Sequence, residues 1–446
     1  MSTNSEPIIN KLHGDKVIWI IVILLYLVSI ALIYSSSSSL AFKSGTTNFS
    51  FLIEQCKFIV FGILALYICY KIPMGIYRFF TNFLFIGSVI LLLLTPVIGK
   101  EINGAKRWLE IGPLTFQPAE IVKITLIMYI AKTVEVFRLD TFKEFFIRII
   151  APIGGVCILI IIGSVSTALM VGGLCLLILI IVGTPWTFIF KSIGIGSAVF
   201  AILLLLHLAF GIFPRFDTAI NRVKRYVVKT EISAEASAEE KQKKADENFQ
   251  EDMAKVAVSS GKLIGKGPGK STQRYVLPHP YSDFIYSIII EEYGLLGGCF
   301  VLMLYTWFLY RCIMLIRRCT KKFTAITVGG LGLMIVLQAM LHILVNVGIL
   351  PVTGHTLPLV SLGGTSLVIF SCAFGIILSI SRTIEMDSRK QQEREAAVAT
   401  AGNGNNEIIQ PDSPADSDTE YMDENPRRYE EPEFHEIIDK NTGEFR

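Results

Sequence analysis

Apolar runs of about twenty residues recur along this chain, and they constrain it more than any other feature. The first, Val17–Tyr34, contains no charged residue. A helix of ~20 residues crosses the ~30 Å hydrocarbon core of a bilayer, and in lipid only helices and closed barrels satisfy their own backbone groups. Ten such stretches can be read, at roughly 16–35, 52–70, 79–98, 118–137, 146–164, 166–184, 190–213, 284–310, 324–347 and 364–381. The expected fold class is all-α: a polytopic membrane protein of about ten transmembrane helices, with a long outer loop, 214–282, between helices seven and eight. The fifth and sixth spans are separated only by Gly163–Ser166 and must turn as a tight helical hairpin. Charged residues make up 18% of the 446 and hydrophobic residues 52%, whereas a soluble domain carries about 25% charge. A soluble enzyme, a disordered chain and a nucleic-acid binder are all disfavoured.

Charge sets the orientation. With the N-terminus inside, the short inner loops hold Lys71 and Arg78, then Lys132, Arg138, Lys143 and Arg148, then Arg311, Arg317, Arg318, Lys321 and Lys322, whereas the outer loop 35–50 holds only Lys43. This is the positive-inside pattern, and an even span count puts the C-terminus inside as well. Loop 214–282 carries 13 Lys/Arg but is longer than the ~60 residues over which the rule applies. Its middle, Glu231–Lys255, reads as an exposed Ala/Glu/Lys helix. Residues 382–446 hold 8 Lys/Arg against 17 Asp/Glu, a net of −9 in a chain of net +3. That tail reads as disordered, and residues 1–15 as a short frayed start. The eight cysteines lie in or beside apolar runs or in a basic loop, and form no disulfide framework. No cleavable signal peptide is expected, because the first run is too long for one.

Two motif matches are set aside. Gly265–Ser271 looks like a phosphate loop but has three residues between its glycines where the pattern needs four. Ser259-Ser-Gly-Lys262 fits Ser-x-x-Lys, but no Lys-Thr-Gly completes that site. The six histidines show no metal-ligand spacing, and no metal site is assigned.

Four places can carry chemistry. Glu120 and Lys123 share one helix face inside a span, where each charge costs at least ~2.5–3.5 kcal/mol unless partnered. They form either an internal ion pair or part of a polar cavity. Glu291 and Glu292 lie ~12 Å down a helix from Asp283 at 1.5 Å per residue, and at least one should face the bundle interior. Asn103-Gly-Ala-Lys-Arg-Trp108 is either an interfacial belt with snorkelling cations or a clamp for an anionic headgroup such as a diphosphate. In Leu277-Pro-His-Pro-Tyr-Ser-Asp-Phe284, Ser282 or Asp283 would cap the next helix, or Asp283 would act as a general base at the membrane surface. Residues 350–366, with Gly363-Gly364 and several hydroxyls, are long and apolar for a plain turn and suit a cavity lining.

Taken in order, these segments resemble the SEDS family of cell-wall glycosyltransferases. The resemblance rests on Gly104-Ala-Lys-Arg-Trp108, Phe116-Gln-Pro-Ala-Glu-Ile-Val-Lys123, Ser282-Asp-Phe-Ile285 with Glu291-Glu292-Tyr-Gly-Leu-Leu-Gly297, Leu357-Pro-Leu-Val-Ser361 with Gly363-Gly364, and Ser379-Ile-Ser-Arg382. It covers nearly all of 16–382, but not the acidic tail. The division branch (FtsW-like) fits better than the elongation branch (RodA-like), on the Thr-Leu-Pro-Leu run at 356–359 and the extended tail. Departures include Tyr281-Ser282 before the aspartate, Leu362 before the glycine pair, and no acidic residue around Ser164–Ser166.

The resemblance implies a polymerase of lipid II at the outer face of the bacterial inner membrane, at the division septum. It implies a class B penicillin-binding protein and other division-complex proteins as partners. Asp283 would be the catalytic base. Substrate contacts would come from Lys106, Arg107, Trp108, Gln117, Glu120, Lys123, His279, Ser282, Glu291, Ser361, Gly363, Gly364 and Thr365. No tightly bound cofactor is expected, and a divalent cation, Mg or Mn, is compatible with the chemistry. Two readings from other classes compete: a lipid II flippase, which needs the cationic cavity but no base, and a division scaffold acting through the tail.

Overall fold

The computed structural model describes residues 13–36, 48–102, 105–112, 114–211, 213–227, 250, 252–277 and 280–404. Residues 1–12, Asn103 and Gly104, most of the Ala/Glu/Lys stretch 231–255, His279 and the tail beyond 404 lie outside the described residues. The chain divides into a body, Met1–Gln391, and a second unit, Gln392–Arg446. The candidate site lies wholly in the body.

Helices occupy all ten expected stretches. They are α1 (Lys16–Ser36), α2 (Asn48–Lys71), α3 (Met74–Ile98), α4 (Pro118–Val136), α5 (Phe142–Gly163), α6 (Val165–Ile181), α7 (Trp186–Phe210), α10 (Ile285–Ile316), α11 (Lys322–Asn346) and α12 (Thr365–Gly404). Between α7 and α10 lie α8 (Pro214–Val227) and α9 (residues 252–261). Eight of the ten are long and apolar enough to cross a membrane on their own. The exceptions have physical reasons: α4 carries Glu120, Lys123, Lys132 and Glu135, and α6 has only 17 residues.

The hairpin expected between spans five and six turns on a single residue. Ser164 is extended, and its hydroxyl accepts the Thr167 amide (3.3 Å), capping α6. Seven residues before that turn, the Cys157 thiol points back at the Ala168 carbonyl (3.8 Å), so the two helices run side by side. The core is built around α4 and α11, which pack on each other and on α3 and α10 respectively.

Three features depart from expectation. The segment after α3 folds as a small antiparallel sheet of β1 (Lys100–Ile102), β2 (Ala105–Ile111) and β3 (Leu114–Phe116), in the order β1-β2-β3. The boundary placed at 382 falls inside a helix, because α12 continues to Gly404. Residues 385–400 are mostly good helix formers, and Glu385 pairs with Arg389 one turn on. Residues 13–15 are fastened rather than frayed: Gly14 donates to Glu385, and Asp15 pairs with Arg311.

Candidate active site

The turn 280–284 delivers the chain into α10, and there the capping expectation fails. The residue that precedes the helix is Phe284, with no side-chain cap. Neither Ser282 nor Asp283 serves the helix end, so the Asp283 carboxylate is not committed to it. Its surroundings fix the backbone instead. Asn346 donates to the Asp283 carbonyl (3.0 Å) and Ser361 Oγ to the Ser282 carbonyl (2.9 Å), while the Leu362 amide reaches the Tyr281 carbonyl (3.0 Å). Ser282 Oγ donates to Asp283 Oδ1 at 3.1 Å. Burial, with Asp283 adding to it, raises the pKa of the neighbouring Tyr281 phenol and keeps it neutral.

The loop from α11 to α12 is a clamp for this turn. Tyr305 OH donates to the Pro358 carbonyl (2.5 Å) and Ser29 Oγ to the Val360 carbonyl (2.9 Å). Between those two anchors Leu359 is held at φ 61°, a left-handed conformation that costs a non-glycine residue on the order of 1–3 kcal/mol. Ser361 also accepts the Leu357 amide (2.9 Å), and Thr365 Oγ1 reaches back to the Thr115 carbonyl of β3 (2.7 Å). Gly364, at φ 51°, turns the chain beside the Phe58 ring. Of these residues Ser361 holds the turn that carries Asp283, whereas Gly364 and Thr365 face Phe58 and Thr115.

Strand β2 presents the cations. Side chains alternate across a strand, so Arg107 is partly buried while Lys106 on the other side is exposed. Arg107 packs against the α5–α6 turn at Gly163. Both cations line a cleft with Pro96, Gln117, Gly163 and Ser164. Burial lowers the Arg107 pKa, Arg215 and Arg222 lower it further, and Asp283 opposes them. Trp108, half-buried, sits opposite Lys100 across the β1–β2 pair.

Lys123 lies deeper, 1% exposed, and is fully engaged. Its ammonium pairs with Glu120 at 2.7 Å, donates to Gln338 Oε1 at 2.7 Å, and stands over the Phe370 ring. From there a polar ladder climbs α11 at four-residue spacing. Gln338 donates to the Thr356 carbonyl (3.2 Å), His342 Nδ1 meets the His355 carbonyl (2.7 Å), and Asn346 holds Asp283. The ladder runs from the buried ion pair to the backbone carbonyl of Asp283.

Glu291 belongs to a different construction. It is 0% exposed and accepts from Lys266 Nζ (2.6 Å), Ser271 Oγ (2.5 Å), Thr272 N (3.1 Å) and Thr272 Oγ1 (2.9 Å). Glu292 accepts from Ser35, with Arg274 at 3.9 Å. Around these two carboxylates the segment 261–267 lies along a break in α10. The amides of Lys266 and Gly267 take the carbonyls of Glu291 and Glu292 (2.9 Å each), and Leu295 N takes that of Lys262 (2.9 Å). The break is at Gly294, φ 71°, where a Cβ would sit 2.2 Å from the Leu263 carbonyl. Only glycine fits there. The first three residues of the set-aside phosphate-loop lookalike, 265–267, thus belong to the plug of a broken helix. The structure does not bring Glu291 to Asp283.

Sequence reading missed Arg215, Arg222, Gln338, His342, Asn346 and His355. The i, i+4, i+8 spacing of Gln338, His342 and Asn346 in an apolar span is a signal that could have found the ladder. Arg215 and Arg222 lie two turns apart on the amphipathic α8, also a readable pattern. His355 had no local signal. Its imidazole is buried and its pKa is pushed down to about 3, by burial first, then by Lys123, His342, Arg107 and Arg222.

A model of the cell cycle protein family FtsW/RodA/SpoVE matches residues 15–386. The chain belongs to that family. Among its FtsW/RodA/SpoVE relatives, the probable peptidoglycan glycosyltransferase FtsW of Hydrogenovibrio crunogenus is 30% identical over 399 residues, covering 86% of this chain and 95% of that protein. Among solved structures, a chain from a peptidoglycan synthase complex that coordinates polymerization and crosslinking superposes with a TM-score of 0.64 at 23% identity, covering 83% of this chain and 98% of that one. The rod shape determining protein RodA of Thermus thermophilus gives 0.57 at 24%, covering 84% and 98%. The FtsW/RodA/SpoVE fold and the multi-pass membrane class are therefore established for this chain.

Proposed function

We propose that this chain is a peptidoglycan glycosyltransferase that polymerises lipid II into glycan strands at the outer face of the bacterial inner membrane, for septal synthesis during division. The names of its relatives support the reaction class. The lysine and arginine bias of the short loops supports cytoplasmic termini. A class B penicillin-binding protein is the proposed partner, supported by the fold shared with a chain of a polymerising and crosslinking complex.

The observation that carries the mechanism is the uncapped Asp283. Its carboxylate stands clear of the helix end, held through the backbone of its turn by Asn346 and Ser361, and its charge acts on Arg107. In the proposed step the 4-hydroxyl oxygen of the acceptor sugar attacks C1 of the donor. The C1–O bond to the diphosphate breaks, undecaprenyl diphosphate leaves, and configuration inverts. Asp283 takes the hydroxyl proton, and Lys106 and Arg107 offset the charge developing on the leaving oxygen.

Polymerisation of labelled lipid II by the purified protein, alone and with a class B penicillin-binding protein, tests the reading. Asp283→Asn should lose about 10²–10⁴-fold in rate and keep the wild-type Tm. If the Asp283→Asn protein still polymerises at the wild-type rate, the base assignment is refuted. A wild type that moves lipid II across vesicles without making glycan would favour the transporter. The elongation reading shares the chemistry and differs in place; a fluorescent fusion tracking the lateral wall rather than the septum would favour it.

A further inference from the structure

Among the described residues, two other than glycine are left-handed: the exposed Lys262 and Leu359, which is 1% exposed. Such a backbone persists only where its surroundings over-determine it. At Leu359 three buried side chains from three helices do so. Tyr305 of α10 donates to the Pro358 carbonyl and Ser29 of α1 to the Val360 carbonyl, one on each side of Leu359. Ser29 Oγ in turn accepts Gln55 Nε2 of α2 at 2.7 Å. All three side chains belong to residues that are 0% exposed. The relay runs one way. Ser29 has a single hydroxyl hydrogen, and the Gln55 amide, by donating, leaves that hydrogen for Val360.

What these side chains hold leads to the turn of Asp283. Residues 357–361 close on themselves: the Leu357 carbonyl accepts the amides of Val360 and Ser361, and the Leu357 amide donates to Ser361 Oγ. The same Ser361 Oγ donates to the Ser282 carbonyl, and the next amide, that of Leu362, to the Tyr281 carbonyl. Both bonds start within three residues of Leu359. Gln55, Ser29 and Tyr305 are not among the residues that line the cleft beside Arg107. A relaxed Leu359 would shift Val360 and Ser361, and a reacting group misplaced by about 1 Å can cost on the order of 10²-fold in rate.

We propose that Gln55, Ser29 and Tyr305 are positioning residues for Asp283: by locking Leu359 in the left-handed region they set the place of Ser361 and Leu362, and through them the turn that presents the carboxylate. What the carboxylate then does rests on the polymerase reading; the path to it does not.

The test pairs steady-state polymerisation of labelled lipid II with hydrogen–deuterium exchange, both on the full-length protein in nanodiscs. Tyr305→Phe and Ser29→Ala should each lower kcat about 10-fold, and together about 100-fold, with KM within about 2-fold of wild type. Gln55→Met, which leaves the Ser29 hydroxyl in place, should lower kcat about 3-fold. On a Ser361→Ala background the effect of Tyr305→Phe on kcat should shrink below about 3-fold, because the path it acts through is already cut. The amides of Leu357 and Leu362 should exchange about 10-fold faster in Ser29→Ala/Tyr305→Phe. Should that double variant fail to fold, Tyr305→Phe carries the same test, since it removes one hydroxyl. The proposal falls if Tyr305→Phe and Ser29→Ala, folded by Tm and elution, keep kcat within about 2-fold of wild type, or if Leu357 and Leu362 exchange as in the wild type. It also falls if Tyr305→Phe costs the same factor with and without Ser361. No glycan from the wild type, with faster exchange in the variants, would sink the polymerase reading and keep the positioning. Glycan from the wild type, with rate and exchange unchanged in the variants, would do the reverse.

Discussion

Asp283 and Glu291 are carboxylates eight residues apart, one just before α10 and one in its first turns. Glu291 is saturated: a lysine, two hydroxyls and backbone amides converge on it, and the plug 261–267 is built around it. The Asp283 side chain has Ser282 beside it and Arg107 in its field, while the groups that hold the residue hold its backbone. In a low-dielectric interior a fully satisfied network rigidifies and an unsatisfied one is costly. The difference therefore separates scaffold from working site: chemistry is to be sought where polar atoms still lack partners.

Several substitutions probe that separation. The widest gap is expected between Asp283→Asn, which removes activity at constant Tm, and Gly294→Ala. A methyl at Gly294 meets the Leu263 carbonyl in a left-handed backbone, so folded yield should collapse, while any folded fraction keeps its specific activity. Activity lost in proportion to neither Tm nor yield would break the comparison. Next, Glu120→Gln should cost about 3–5 kcal/mol by stranding a buried ammonium. Adding Lys123→Met should recover much of that loss, read as Tm in a double-mutant cycle; no recovery would mean the lysine has a further anionic partner.

A pH effect should follow. His355 is held down to about 3 in the folded protein against an ordinary 6.5, so between those values the unfolded chain binds a proton that the folded one refuses. Stability should fall on acidification through that window, by up to about tenfold in the folding equilibrium per pH unit. His355→Leu should flatten the profile of Tm against pH; an unchanged profile would show that the imidazole takes up its proton in the folded state. The smallest effect is expected for Ser282→Ala, which deletes one hydrogen bond to Asp283 worth roughly 0.5–1.5 kcal/mol. It should shift the pH–rate profile slightly and lower Tm only a little.

Much of the frame was legible. The ten helical stretches and a tight hairpin at Gly163–Ser166 follow from runs of apolar residues, because lipid imposes a length and a regular backbone. The pairing of Glu120 with Lys123 follows from their three-residue spacing. The plug was not legible, since Lys266 and Glu291 are distant in sequence and nothing in either local pattern announces the other. The short sheet was hidden for a related reason: strands of three and seven residues carry too little period to read. Arg215 and Arg222 act on Arg107, and Arg107 and Arg222 on His355, only in the folded chain, because these residues lie far apart in sequence.

The clasp of Gly14 and Asp15 has a consequence for how the chain is made. Asp15 meets Arg311 and takes Ser381 through its amide, and Gly14 meets Glu385, partners that follow it by 296 to 371 residues. Synthesis runs from the N-terminus, so the first span enters the bilayer long before any of these partners exists. Asp15 waits through seven further insertions for its counterion and nine for its latch. The first span is thus fastened only after the last one is made, and a ribosome stalled before Ser381 releases a chain whose Asp15 amide lacks that latch.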